Sequence, residues 1–334
     1  MHSVIKAAGL MMLVAVATSS LCPAEELERR RFVFTYSCSL EAVPEGATTI
    51  DLWMPVPVDT QGQQVHRVEI VHPTDGQIDV EPRYGNRIFH KRFTAPFDGD
   101  APISAELQFD VEREEIVVPA AKSLASVPAG QPSAELDPYL EPNRLIPIDG
   151  KVAEITAALK LPAAAPLTAA RQVYDHLIAT MQYNWRAEGA GRGDVLWACD
   201  SRTGDCTDYH STFLAICRAH GTPADHEFGF PLPKDRSEGP LPYYHCWARF
   251  WVPEAGWIPV DISEADKHPE LLEYNFGSLT PHLLKLSHGR DVTLVPPQQG
   301  EPLNIFVHPY VEIDGQPHKE HLKWKASFVD VERS

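Results

Sequence analysis

Cys206 follows Gly204 and Asp205 at the head of the stretch CTDYHSTFLAICRAHG, where Phe213, Leu214, Ile216 and Cys217 form an apolar stripe. That spacing predicts a helix from about Cys206 to His220, stopped by Gly221 and Pro223. A helix N-terminus exposes unpaired N–H groups and carries a positive partial charge. It therefore favours a thiolate and can receive a developing oxyanion. A nucleophilic thiol also needs a base, and the base needs a group to orient it. Downstream, YYHCWARFWV and GWIPVDIS read as two strands joined by PEAG. Alternation puts His245, Trp247, Arg249 and Trp251 on one face of the first strand. It puts Trp257, Pro259 and Asp261 on one face of the second. If Trp251 pairs with Trp257, Trp247 lies opposite Asp261 and His245 becomes a diagonal neighbour of that carboxylate. A slip of one residue would separate them. Thiol, imidazole and carboxylate in this order suit nucleophilic acyl transfer.

Other uses of these residues are weighed against that one. Cys206 and His210 stand one turn apart and invite a zinc site, but no Cys-x-x-Cys or His-Glu-x-x-His accompanies them, so no metal is expected. No glycine-rich phosphate loop and no Gly-x-Ser-x-Gly elbow is present. Cys217 reads as a small buried hydrophobe. Cys246 points to the sheet face opposite His245 and also reads as buried. Cys38 and Cys199 are left as possible disulfide partners.

The elements around these residues divide the chain. Residues 1–24 have Lys6, an apolar run from Ala7 to Ala17 and then small residues, the form of a secretory signal cleaved after Ala24. Export to the periplasm or medium follows, with no membrane attachment after cleavage. Residues 25–118 hold short strands such as RFVFTYSCSL, TTIDLWMPVPV and ISAELQFDVEREEIVV between turn residues, the pattern of a β-sandwich. Residues 119–150 shift to Ala, Pro, Ser and Gly and read as a linker or extended wrap. Residues 151–334 begin with helices, at Lys151 to Lys160 and Pro166 to Gln182, and continue with strands. The fold class is therefore α+β. A net charge of −17 repels phosphates and anionic lipid, which excludes nucleic acid as a partner.

Three separated motifs, GDC at 204–206, HCW at 245–247 and GWIPVD at 256–261, together with RAHGTPAD after the helix, resemble the transglutaminase-like superfamily over 171–263. FGSL, GRDVTLVP and PYVEIDG further resemble bacterial secreted members with an N-terminal β-domain. The resemblance implies a papain-like core with Cys206 as nucleophile, His245 as base and Asp261 as orienter. It also implies an aromatic residue upstream that assists the oxyanion, for which MQYNW offers Tyr183 and Trp185. Trp247, Trp251 and Trp257 read as core or cleft wall, with Trp247 a candidate wall of the acyl pocket. The loop from Phe230 to Pro242 is expected to border the cleft as a rim that selects substrate. No organic cofactor is implied, and no calcium loop is visible. The expected activity is cleavage of a peptide or amide bond in a peptide or protein substrate. A crosslinking enzyme with an amine acceptor and a non-catalytic scaffold of the same fold are the alternatives.

Overall fold

The computed structural model describes residues 27–97, 102–123, 134–253 and 255–331. The expected signal segment, 1–24, lies outside the described residues. Alternation along Arg29–Leu40 buries Phe32, Phe34, Tyr36, Cys38 and Leu40. Ile103–Glu114 buries Ala105, Leu107, Phe109 and Val111 in the same manner. These strands pair antiparallel within a five-stranded sheet ordered Glu238–Pro240, Leu322–Asp330, Arg29–Leu40, Ile103–Glu114, Gln63–His72. A second five-stranded sheet runs Gln316–Pro317, Tyr310–Ile313, Thr49–Val56, Arg87–Thr94, Gln77–Val80. The two share one apolar core with Ile50, Leu52 and Met54. The sandwich is present, but the limits 25–118 are too narrow for it. Tyr310–Ile313, Gln316–Pro317 and Leu322–Asp330, expected within the second domain, complete both sheets. Alternation marks a strand without telling which sheet it joins.

The remaining residues form the α+β half. Helices Pro166–Thr180 and Cys206–Ala219 pack on a four-stranded antiparallel sheet, and Gly150–Leu159 and Val195–Ser201 pack against Cys206–Ala219. Its order is Gly256–Val260, His245–Val252, Ala224–Pro231, Leu283–His288. Val173, Tyr174, Leu177, Phe213, Ile216, Ala248 and Phe250 fill the core between them. At its other end the sheet runs into the sandwich core. The Phe230 ring lies 5.4 Å from Phe34 and 5.7 Å from Tyr36. The segment expected as a linker is partly folded. Ala134–Tyr139 is a 3-10 turn, Leu136 and Ile146 are buried, and the Tyr139 ring packs 5.0 Å from Trp257.

Candidate active site

Local chemistry fixes the start of the Cys206–Ala219 helix. Asp205 is the N-cap, and its carboxylate accepts from Thr207 N at 2.8 Å. Asp208 reciprocates by accepting from Asp205 N at 3.0 Å, a capping box. The Asp208 carboxylate also takes the N–H of Gly191 at 2.8 Å and of Gly193 at 2.9 Å, tying the preceding loop to the helix. Gly204 has no alternative, because a Cβ there would sit 2.5 Å from Asp208 Cβ. The GDC stretch thus serves helix initiation and sets Cys206 as the first helical residue.

Across from it, Trp251 pairs with Trp257 and Ala248 with Val260, the register on which the expected geometry depended. His245 Nε2–H donates to Asp261 Oδ2 at 2.6 Å. Asp261 Oδ1 accepts from Glu264 N at 3.1 Å and Ser263 Oγ at 3.2 Å, so the carboxylate also caps the helix Ile262–Lys267. With Nε2 committed to Asp261, Nδ1 is the ring nitrogen left for the thiol. Cys206, His245 and Asp261 all line one cavity of about 370 Å³.

Electrostatics favour an ion pair. A hydrogen bond with the Cys246 side chain and the neighbouring His245 hold the Cys206 thiol well below its ordinary pKa, against the opposing effect of burial. Burial lowers the His245 value, but Asp261 and Cys206 outweigh it and carry it well above the imidazole range. Burial likewise opposes ionisation of Asp261, yet His245 lowers its pKa to about 2. Asp205 moves the other way. Burial and the adjacent Cys206 push it up to about 7.

The other expected residues divide. Tyr183 lines the cavity, with Lys267 Nζ 4.6 Å over its ring. Trp185 does not. It is 62% exposed and stacks under Arg186, so of the two aromatics only Tyr183 is at the site. Trp247 is no pocket wall either. It is fully buried behind His245, with ring centroids 6.1 Å apart, and its indole N–H donates to Glu227 Oε2 at 2.6 Å. It shares a face with His245 but lies deeper along the strand, past the cavity's edge. Cys38 and Cys199 are both free thiols in separate cores, which corrects the possible disulfide.

Two residues at the site, Tyr244 and Cys246, escaped the sequence reading. Tyr244 lines the cavity and bonds Thr207 Oγ1 at 2.8 Å. Lys234 also lines it, from the 230–242 loop expected at the rim of the cleft. Cys246 does face away from His245 and is buried, yet it lies beside the nucleophile. Its sulfur is 3.7 Å from Thr207 Oγ1 and 3.9 Å from His210 Nδ1. The alternation that hid Cys246 from the cleft could have placed it against the helix, had the packing side of that helix been known.

A metal would find one candidate grouping among the described residues: His210, His226 and Cys246, whose ligand atoms lie within 4.8 Å of one another. Its chemistry opposes a cation. His210 Nε2 accepts from Ile262 N at 3.0 Å, which leaves the proton on Nδ1, the nitrogen facing Cys246. The Arg290 guanidinium stands 3.4 Å from His226 Nδ1.

Known proteins resemble this chain in its core domain and fold. Residues 153–262 match the family model of the transglutaminase-like superfamily core. An uncharacterised protein of Haemophilus influenzae is 26% identical over 352 aligned residues, spanning 91% of this chain and 94% of that one. A crystal structure from Cytophaga hutchinsonii, described as a candidate cysteine protease, superposes with a TM-score of 0.59 at 15% identity and covers 93% of each chain. That likeness is one of fold. The periplasmic domain of TgpA from Pseudomonas aeruginosa gives a TM-score of 0.37 at 17% identity, over 75% of this chain and 94% of that one.

Proposed function

The chain carries a transglutaminase-like core domain, and from that premise we propose that it is a cysteine-dependent acyl-transfer enzyme cleaving peptide or amide bonds. The observation that carries this reading is the 2.6 Å His245–Asp261 bond facing the cavity that a helix-start cysteine also lines. The Cys206 thiolate attacks the carbonyl carbon of the bound amide. The oxyanion that forms is received by the Cys206 backbone N–H at the helix start, with the Tyr183 hydroxyl as the second donor. The His245 imidazolium gives its Nδ1 proton to the leaving amine, and a thioester remains. Neutral His245 then takes a proton from water, the resulting hydroxide attacks the thioester, and the acid and free thiol are released. Asp261 holds the ring and stabilises the imidazolium throughout.

Hydrolysis is proposed over amine transfer because the loop bordering the cleft, 232–240, is short and polar and offers little to seal out water. Localisation is proposed as periplasmic or secreted, on the form of residues 1–24. The test is a profile of cell-envelope proteins cleaved by wild type against Cys206→Ala. Cleavages absent from the variant are expected. With an activated acyl donor and rising primary amine, acid product unaffected by amine supports hydrolysis. Dominant amide that saturates at low amine reverses that choice.

A further inference from the structure

Besides the Cys206 thiolate, the charged and titratable groups lining the catalytic cavity are Lys234, His245, Asp261, Glu264, Lys267 and His282. His245 and Asp261 answer each other, and Lys267 pairs with Glu264. His282 accepts from Arg30 Nη1 at 2.9 Å, and burial pushes its pKa down against the pull of Glu28, so the ring is neutral. Lys234 is exposed, and among the described residues no carboxylate pairs with it. Asp235, its neighbour in sequence, does not line the cavity. One ammonium at the mouth of the site is therefore left without a carboxylate partner, on a chain whose net charge is −17.

The segment carrying Lys234 is pinned from several sides. Arg30, 9% exposed, donates to Pro233 O at 2.8 Å and Arg236 O at 2.9 Å, and is fixed by Asp330 at 2.9 Å. Leu232 N donates to His282 O at 2.8 Å. Arg236 Nη2 donates to Pro240 O at 2.8 Å, and Glu238–Pro240 pairs with Leu322–Asp330 of the sandwich. With the rim backbone already fixed, only the Lys234 side chain remains to be ordered on meeting an anion. The same cavity exposes Tyr243 and Leu271, an apolar shelf on which a peptide can lie.

We propose that Lys234 is a specificity-determining residue that pairs with a carboxylate of the acyl donor, so that the cleft selects acidic peptides against the repulsion of the acidic surface. The substrate part of this rests on the acyl-transfer reading. The charge part does not, and the two can be tested apart. Cys206 is alkylated at low ionic strength with iodoacetate and with iodoacetamide, which differ chiefly in charge. Lys234→Ala is expected to lower the iodoacetate-to-iodoacetamide rate ratio by roughly threefold, and Lys234→Glu to lower it further, with the difference shrinking in salt. A ratio unaffected in both variants overturns the proposal. Next, two peptide anilides differing only as Glu or Gln beside the scissile bond are compared. Wild type is expected to favour Glu about fivefold in kcat/KM, chiefly through KM, and Lys234→Glu to reverse the order. Equal kcat/KM in wild type overturns the selection of acidic donors. Turnover of neither peptide by a protein whose alkylation ratio does respond to Lys234 breaks the acyl-transfer reading and leaves the charge assignment standing.

Discussion

The strand His245–Val252 carries two buried acid–base clusters, and only one of them opens onto a cavity that can hold a substrate, about 370 Å³ against about 20 Å³ beside Glu227 and Arg249. At its start, His245 and Asp261 face the cavity beside Cys206. Further along, Arg249 Nη2 bonds Asp225 at 2.9 Å, Lys285 Nζ bonds Glu227 at 2.6 Å, and His288 Nδ1 bonds Asp225 at 2.7 Å. This second cluster is richer in charge and just as strongly shifted. Burial opposes ionisation of Glu227, but Lys285 and Arg249 hold it at about 2. Yet every group there is answered by protein. Trp247 donates to Glu227, and Gln63 of the sandwich bonds Lys285 O at 3.0 Å and Lys285 N at 2.9 Å. Buried pairs of this kind lock a fold together. The His245 cluster differs in leaving a ring nitrogen and a thiol directed at space a substrate can enter. Perturbed acid–base groups mark a site only when one of them is left unanswered.

The largest effects expected from this contrast fall on the open cluster. Cys206→Ala and His245→Ala should each remove activity by roughly 10⁴-fold or more, and by similar amounts, since the groups act as a unit. Asp261→Asn should lose about as much while remaining folded, because an amide does not stabilise the imidazolium. Initial rates on one acyl donor, with circular dichroism as the fold check, decide this. Near-normal turnover by His245→Ala would show that another base does the work. The closed cluster should answer with stability. Lys285→Met leaves Glu227 short of its closest cation and should cost roughly 3–5 kcal/mol in denaturant unfolding, with rate per folded molecule retained. A large loss of rate without loss of stability would break the comparison.

The two clusters should also separate in pH. The folded-state pKa of Glu227, about 2, lies below its ordinary 4.5, so the stability it lends is complete above that ordinary value and is lost as pH falls toward about 2. His245 is raised, so its contribution is full below the ordinary imidazole pKa near 6.5 and is lost as pH rises through its higher folded value. Unfolding of wild type and Lys285→Met across pH should therefore converge in acid, as protonation of Glu227 removes what Lys285 answers. Curves that stay parallel down to about pH 2 would remove Glu227 from the account.

The open cluster was legible in sequence because its parts sit on regular elements. A helical stripe, a two-residue alternation and a PEAG turn gave the register that brings His245 to Asp261. The closed cluster was not. Ala224–Pro231, an interior strand of its sheet, reads ADHEFGFP, and its buried Asp225, His226 and Glu227 break the apolar pattern by which strands are recognised. Their partners come from Arg249, Lys285 and His288, whose proximity exists only after folding. The C-terminal strands were visible as strands, but their pairing with Arg29–Leu40 and Thr49–Val56 is long-range. The places of Trp185 and Trp247 were left open in sequence for one reason. A position near the motif does not say whether a ring ends in solvent, in the cleft or behind it.

The smallest effect expected tests where the open cluster ends. Cys246 lies on the helix side of the sheet, outside the cavity lining, and so resembles a packing residue. Its surroundings say more. His210 Nε2 is occupied by Ile262 N–H, so the Nδ1 proton is directed at the Cys246 sulfur 3.9 Å away. Burial and the neighbouring Cys206 sulfur hold the Cys246 thiol well above its ordinary pKa, so it keeps its proton, for which Thr207 Oγ1 at 3.7 Å and the Cys206 thiolate are the competing acceptors. That makes Cys246 a positioning residue for the nucleophile. Removing a donor to a charged sulfur should raise the Cys206 pKa by about one pH unit. The rate of iodoacetamide labelling at Cys206, followed against pH, should show its midpoint move upward in Cys246→Ala, with the labelling plateau at high pH kept. Cys246→Ser, which retains a donor, should lie between the variant and wild type. A midpoint identical in all three proteins would confine Cys246 to packing and draw the edge of the site at His245.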